Sequence, residues 1–231
     1  MRILVLTYAY PPMHVQMTSA SLKPIAGLAK IGAFADVLTV KNFPRVLPRN
    51  SDLCAYAESI FDEKIYMDDA RKYSSPTLRL GQVLRVPDLM ASFSRAMLTT
   101  LLDLDLSQYA AILTWSPFHS INNVMMELKV HRPSVKWIAQ FSDPWANNPL
   151  ERIWRTNLWN TYFERRMTAA ADAIVHSSSY SMQLMARNAS EAHPRKFTVI
   201  GHCYDPALYG EAPVRDPEKI VIRHIGTLFG K

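Results

Sequence analysis

The residues with the clearest chemical potential lie in two short polar loops. His119 ends the segment 116–119, which follows an apolar run, and Asp143 belongs to the segment 142–145, which follows another. A histidine exchanges hydrogen bonds with hydroxyl and phosphate groups near neutral pH, and a carboxylate orients hydroxyl groups or acts as a general base. The alternatives are an incidental loop histidine and an aspartate that caps the following helix. We predict His119 and Asp143 as catalytic residues.

The elements on either side of these loops place both loops at one edge of a sheet. Residues 110–115 and 135–141 are short apolar runs, typical of strands buried on both faces of a parallel sheet. Between them, residues 120–131 carry apolar side chains at helical spacing. A strand–helix–strand unit of this length forms a right-handed crossover with parallel strands. Because ligands of open α/β sheets bind at the carboxyl edge, the sequence predicts the site there.

The rest of the chain repeats this alternation of strands and helices. Further strands are predicted at 2–7, 34–40, 64–67, 171–176, 197–200 and 220–225. Further helices are predicted at 51–62, 87–104, 149–167 and 178–187. This order predicts an α/β fold with a Rossmann-like, doubly wound parallel sheet.

The junction between the first strand and its helix lacks a dinucleotide fingerprint. No glycine precedes Gly27, which argues against nicotinamide or flavin dinucleotides. The helix is predicted to begin at Ser19 or Ser21, because Pro24 then falls in its first turn. Thr18 and Ser19 supply hydroxyls beside first-turn amides that favour an anion, although such a serine is more commonly a helix cap. We predict Thr18 and Ser19 as phosphate or acceptor contacts.

Several aromatic and histidine side chains have two interpretations. Trp145 could stack on a ligand ring, but a tryptophan at a helix entry is more often packed in the core. His202 follows a short strand and is a candidate cleft residue. The aromatic-rich helix is expected to pack its side chains against the sheet, with a ligand platform or a membrane face as the alternative: Trp154, Leu158, Trp159, Tyr162 and Phe163. Because no histidine pair has metal-ligand spacing, no metal is predicted.

Composition narrows the class of protein and its partners. The 231 residues include only two cysteines, too few for a disulfide scaffold, which favours a reducing cytoplasm. No apolar run reaches the ~18–20 residues that span a bilayer. The net charge is +6, and residues 1–50 hold six Lys or Arg side chains against one acid. A basic surface of this kind could bind anionic lipid, sugar phosphates or nucleic acid. The alternative is that these charges are solvated and have no specific partner.

Segments along almost the whole chain, taken in sequence order, resemble the N-terminal half of a GT-B glycosyltransferase of the retaining family 4. The opening MRILVLTYAYPP and the helix end LAKIGAFADVLTV are similar to the family's first strand, PP loop and helix. ILTWSPFHS resembles its histidine-bearing loop, and WIAQFSDPWANNP resembles its D-x-R-D-x-W segment. ERRMTAAADAIVHSS and VIGHCYDPALY resemble its next strand motifs, and IVIRHIGTLFGK resembles the start of its second domain. Met17-Thr18 or Thr18-Ser19 stands where the family often has Gly-Gly, and Ser142 replaces its usual arginine.

The resemblance implies an N-terminal acceptor-binding domain over 1–212. Residues 213–231 would be the linker and first strand of a truncated nucleotide-sugar-binding domain. It implies transfer of a sugar, of hexosyltransferase type, from a nucleotide-sugar to a lipid-linked or saccharide acceptor in bacterial surface polysaccharide synthesis. No metal or cofactor besides the donor is implied, and this piece alone would be inactive.

The resemblance also implies roles for the predicted site residues. His119 and Asp143 would face the reacting sugar, and Thr18, Ser19, Trp145 and His202 would contact the acceptor or phosphates. The protein would be cytoplasmic, with a possible peripheral location on the inner face of an anionic membrane. Two alternatives are open: a nucleotide-sugar epimerase of GT-B architecture, and a non-catalytic binding module. A nucleic-acid partner is not expected, because no recognition motif occurs.

Overall fold

A computed structural model of the chain describes residues 1–40, 52–60, 63–66, 88, 90–116, 118–148, 154–189 and 194–208. Seven strands in these ranges form one sheet in the order β3-β2-β1-β4-β5-β6-β7, and each adjacent pair is parallel. The strands are β1 Arg2–Thr7, β2 Phe34–Thr39, β3 Glu63–Tyr66, β4 Ala111–Trp115, β5 Trp137–Phe141, β6 Ala173–His176 and β7 Phe197–Val199. The predicted α/β fold with a doubly wound parallel sheet is confirmed.

Six described α-helices flank this sheet. They are α1 Gln16–Lys30, α2 Asp52–Ile60, α3 Ser94–Asp103, α4 Ser120–His131, α5 Trp154–Ala170 and α6 Ser179–Asn188. Helix α4 has the predicted bounds, and α3 begins several residues later than predicted. The predicted first residues of α5, 149–153, lie outside the described residues. A 3₁₀ turn at Ala91–Phe93 occupies the approach to α3. The predicted strand at 220–225 and the domain boundary at 212 lie outside the described residues.

The predicted start of α1 is wrong. The helix begins at Gln16, so Pro24 lies in its interior rather than in its first turn. Thr18 Oγ1 accepts the backbone N–H of Val15 at 3.2 Å and so satisfies a donor at the helix start. Ser21 is not the cap, because its hydroxyl donates to the carbonyls of Ala9 at 3.2 Å and Thr18 at 2.9 Å.

Replacing each of two glycines in this region by alanine should change the free energy of unfolding in opposite directions. Gly27 lies inside α1 with no atom within 4 Å of an added Cβ, whereas Gly32, just beyond the helix end, has φ +78°. Gly27→Ala should therefore raise the free energy of unfolding by about 1 kcal/mol, because alanine is the better helix former. Gly32→Ala should lower it, because the left-handed conformation strains an alanine. Urea denaturation of both variants measures the two signs, and a loss of stability in Gly27→Ala would contradict this assignment.

Alternating side chains divide the core into two layers. On β1, Leu4 and Leu6 belong to a large cluster that packs with α3, α4, α5 and α6. Ile3 and Val5 belong to a smaller cluster that packs with α1 and α2. Successive strand residues point to opposite faces, so β1 is buried on both sides. Helices α1 and α2 pack over β1 and β2, which leaves part of β4–β6 available to the cavity described below.

The expectation that Leu158 and the aromatic side chains of α5 pack inward is wrong for three of these residues. Leu158, Trp159 and Tyr162 are exposed, with 65%, 55% and 51% of their surfaces accessible. Phe163 is half-buried against the core, and the side chain of Trp154 lies outside the described set. A spacing of four places residues on one helix face but leaves open which face meets the sheet. Here Glu164, Met167 and Thr168 provide the buried side of α5.

Candidate functional site

The loops that carry His119 and Asp143 follow neighbouring strands, as the crossover argument requires. Trp115 of β4 pairs in register with Gln140 of β5, so both loops leave the carboxyl edge of the sheet side by side. The imidazole of His119 stacks on the indole of Trp145, with 4.9 Å between ring centroids and 12° between planes. The structure thus brings two of the predicted site residues into contact.

This contact belongs to a continuous stack of rings. It runs from the end of β6 to the surface of α5 through His176, Phe141, His119, Trp145, Phe163 and Trp159, with centroid separations of 5.5, 5.8, 4.9, 6.1 and 5.6 Å. Every interplanar angle in the stack is 22° or less. Sequence reasoning missed the stack because its members come from five separate elements. Trp145 is buried. Its position therefore agrees with packing in the core, and its ring is not open for a ligand to stack on.

His119 occupies an environment that favours the neutral ring. Its Nδ1 is buried and has no hydrogen-bond partner within the described ranges. Burial lowers the pKa of His119 to about 3. A ring that stays neutral at pH 7 exchanges hydrogen bonds with a ligand but is a weak proton acceptor. The arrangement therefore suits His119 as a hydrogen-bonding group rather than as a general base.

A remote carboxylate fixes the backbone beside His119. Asp88 Oδ2 accepts the backbone N–H of Ser120 at 2.7 Å, and Oδ1 accepts the Ser120 hydroxyl at 2.8 Å. These bonds satisfy donors at the N-terminus of α4, where a negative charge is also favoured. Burial raises the pKa of Asp88 and outweighs the hydrogen bonds, which lower it. Sequence reasoning missed Asp88, because a cap is sought directly before its helix.

Replacing Asp88 by alanine should lower the free energy of unfolding by about 2 kcal/mol, because it leaves first-turn donors of α4 unsatisfied. Thermal and urea denaturation measure the loss. Asp105→Ala is the matched control: the Asp105 carboxylate also accepts a backbone N–H, from Ser107 at 3.0 Å, but it is exposed. Equal losses in the two variants would contradict the capping role of Asp88.

Asp143 and its loop lie at the edge of the sheet, held from two sides. Asp143 is exposed, and no described helix begins directly after it, so the capping alternative does not apply. The Ser177 hydroxyl donates to the Ser142 carbonyl at 3.0 Å. The buried Glu164 carboxylate accepts the Ala146 N–H at 2.7 Å and the Asn188 side-chain amide at 3.0 Å. Glu164 is a positioning residue that sequence reasoning missed.

Three buried titratable groups in this region predict how stability depends on pH. Burial raises the pKa of Glu164 to about 7 and lowers the pKa values of His119 and His176 to about 3 and about 4. Between pH 4.5 and 6.5 the unfolded chain therefore binds two more protons at the histidines, and the folded chain binds one more at Glu164.

These three groups alone would make stability rise with pH by about 1.4 kcal/mol per pH unit in this window, and the raised pKa of Asp88 opposes that rise. Glu164→Gln removes one opposing contribution and should steepen the slope by about 1.4 kcal/mol per pH unit relative to the parent chain, because the contributions of the histidines and of Asp88 remain. Urea denaturation at pH 4.5, 5.5 and 6.5 measures both slopes. A shallower slope in Glu164→Gln than in the parent chain would contradict the raised pKa of Glu164.

A cavity of about 410 Å³ lies on the opposite face of the sheet, between α1 and residues 200–205. Its floor is apolar and comes from Leu113, Ile138 and Val175. Trp115 Nε1 and Gln140 Oε1 are buried, belong to lining residues and lack a described hydrogen-bond partner. The apolar floor suits a ligand with an apolar body.

The predicted residues His202, Thr18 and Ser19 lie apart from the contact between His119 and Trp145. His202 is exposed and lines the cavity, whereas His119 stacks on Phe141, whose side chain points away from the face of Gln140. Thr18 is buried and its hydroxyl serves the start of α1, so it is not presented to a phosphate. Ser19, half-buried in α1, is absent from the cavity lining. Within the described residues, no group of three or more His, Cys, Asp or Glu side chains is placed to hold a metal ion.

One segment of the cavity wall is anchored to both helices of that face. Asp205 is buried and its Oδ2 accepts the Tyr56 hydroxyl of α2 at 2.7 Å. Its Oδ1 lies 3.7 Å from Lys30 Nζ of α1. These contacts hold residues 200–205 across the cavity from α1, and so position His202.

Comparison with known proteins gives a fold and no family. No protein-family model matches the chain, and no curated protein matches it. Among solved structures, the chain is similar to Medicago truncatula UGT71G1 complexed with UDP-glucose, with a TM-score of 0.52 and 10% sequence identity. The match covers 87% of this chain and 51% of that chain, so the chain spans about half the length of this structure. The chain therefore has a Rossmann-like α/β fold that is similar to about half of this structure.

Proposed function

We propose that the chain is the acceptor-binding part of a glycosyltransferase that uses a nucleotide-sugar donor. The observation that carries the proposal is the match of 87% of the chain to a protein solved with UDP-glucose. The order of sequence motifs supports it and favours the retaining family 4, with a hexosyl group transferred to a lipid-linked or saccharide acceptor. On this proposal the protein acts in the cytoplasm, at the inner face of a membrane, in bacterial surface polysaccharide synthesis, and needs no cofactor besides the donor.

We assign the following roles within this proposal. His119 provides a neutral imidazole for hydrogen bonds to the reacting sugar, and Asp143 provides an exposed carboxylate from the neighbouring loop. His202 and the cavity next to α1 receive the acceptor, and the apolar floor favours a lipid-linked acceptor over a bare saccharide. Ser19 remains a proposed contact to the donor phosphates. Residues 213–231 are proposed to lead into the domain that binds the nucleotide-sugar.

The cavity gives this proposal a matched pair of variants at Gly27. Gly27→Phe places a ring in the lined space, whereas Gly27→Ala leaves the space open. In the complete gene product, Gly27→Phe should raise the KM for the acceptor by at least about tenfold, while Gly27→Ala leaves KM unchanged. Radiolabelled transfer from the nucleotide-sugar measures both. Unchanged acceptor kinetics in a folded Gly27→Phe variant would exclude this cavity as the acceptor site.

A nucleotide-sugar epimerase with the same architecture is the second candidate. Exposed Asp143 at the sheet edge would serve either reaction, because a carboxylate can orient hydroxyls without an acceptor present. The two functions differ in their products: the transferase joins the sugar to an acceptor, whereas the epimerase returns an altered sugar. Product analysis with and without acceptor distinguishes them.

A further inference from the structure

Helix α5 exposes a compact aromatic surface that faces away from the sheet. We define the outer face of α5 as Leu158, Trp159, Tyr162, Arg165 and Arg166. The first three are apolar or aromatic and more than half exposed, and both arginines are exposed. Large apolar side chains grouped on one exposed helix face mark a binding surface more often than scattered single residues do.

Ring contacts hold the aromatic part of this face in place. The indole of Trp159 lies 5.6 Å from the ring of Phe163 at 19°, and the ring of Tyr162 meets Trp159 edge-on at 6.2 Å. Phe163 in turn stacks on buried Trp145 at 6.1 Å. The exposed indole is therefore supported from beneath by two further rings, and docking would require little additional ordering of these side chains.

The charges on this side of the molecule have one dominant sign. Helices α5 and α6 contain one acid between them, Glu164, and it is buried beneath the Asp143 loop. Among the side chains of these helices that the structure describes, the exposed cations are Arg165, Arg166 and Arg187. Arg166 lies over the Tyr162 ring, with the guanidinium carbon 5.6 Å from the ring centroid. A cation and an aromatic ring are therefore adjacent on this face. The facing side of α4 adds exposed Val130 and a single carboxylate, Glu127.

We propose that the outer face of α5 docks the protein on a bilayer surface rich in anionic phospholipid. Leucine, tryptophan and tyrosine suit the boundary between head groups and acyl chains, and adjacent arginines suit anionic head groups. No described helix is long and apolar enough to cross a membrane. We therefore propose that α5 lies on the bilayer surface and does not span the bilayer. The inference concerns binding alone and does not depend on the transfer reaction, because its test contains no sugar or nucleotide.

The test is vesicle co-sedimentation of the 231-residue chain, with vesicles of phosphatidylcholine alone or with phosphatidylglycerol. We expect binding to the anionic vesicles that weakens with salt, with a blue shift of tryptophan emission. Trp159→Ala should weaken the partition coefficient about tenfold or more. Replacing Arg165 and Arg166 by glutamine should weaken it about fivefold per charge.

The matched control is Phe34→Ala, which removes an aromatic ring with 53% of its surface exposed, at the start of β2. It should leave vesicle binding unchanged, and circular dichroism should show that all variants are folded. Equal binding by Trp159→Ala and the parent chain, or no preference for anionic vesicles, would overturn the proposal. Self-association that Trp159→Ala abolishes, without vesicle binding, would also overturn it and identify a protein interface instead.

Discussion

Replacing His119 by phenylalanine is expected to abolish most activity while leaving the fold at least as stable. Phenylalanine keeps a ring between Phe141 and Trp145, at the centre of the stack. It also removes Nδ1, a buried nitrogen without a described partner, and burying an unsatisfied polar atom costs about 1–3 kcal/mol. The imidazole hydrogen bond to the reacting sugar is lost, so we expect kcat/KM to fall about 100-fold.

Two measurements on the complete gene product separate these effects. Urea denaturation gives the free energy of unfolding, and nucleotide release gives kcat/KM. His119→Ala is the comparison, because it removes both the ring and the nitrogen and should lose stability as well as activity. If His119→Phe retained full activity, the polar atoms of His119 would have no part in the reaction and its role would be packing alone.

Replacing Glu164 by alanine is expected to produce the largest loss of stability among these variants, about 3 kcal/mol. The change leaves the Ala146 N–H and the Asn188 amide without their acceptor in a buried setting, and each unsatisfied donor costs about 1–3 kcal/mol. It also leaves a void under the loop that carries Asp143. Urea denaturation measures the loss, and faster amide exchange at Ala146 would locate it.

Conservative and surface variants sharpen this test. Glu164→Gln retains an oxygen acceptor for Ala146 and should lose less than about 1.5 kcal/mol. Glu127→Ala removes an exposed carboxylate from α4 and should leave the free energy of unfolding nearly unchanged, as expected for surface changes. A small effect of Glu164→Ala, equal to that of Glu127→Ala, would show that the carboxylate does not hold the loop.

The sheet was predictable because its signals are local and strong. Apolar runs such as ILTW and WIAQF are typical of strands that are covered on both faces of a sheet. Helix α4 was predictable because its apolar residues have helical spacing and Arg132-Pro133 ends the pattern. The start of α1 was not predictable from Pro24. The rule that proline belongs in the first turn was overridden here by tertiary packing, which buries Leu22 and Ile25 on the same helix.

The position of the candidate site at the carboxyl edge was predictable from the sequence. The hydrogen bonds that support its loops were not. Parallel neighbours β4 and β5 fix where His119 and Asp143 leave the sheet, and the crossover rule supplies that information. The supports of the site come from distant residues: Asp88 reaches Ser120, and Glu164 reaches Ala146. No spacing rule connects such pairs. The exposed side of α5 was missed for a related reason, because a periodic pattern does not identify which helix face is covered.

The central claim, sugar transfer from a nucleotide donor, is tested most directly by nucleotide release. The complete gene product is incubated with UDP-, GDP- and dTDP-sugars, with and without membrane lipid extract. We predict release of one nucleotide that depends on the lipid acceptor, together with a labelled transfer product. Acceptor-independent conversion of the sugar without a transfer product would contradict it and indicate an epimerase. Absence of nucleotide release with every donor, in the presence of lipid and of saccharide acceptors, would contradict it as well.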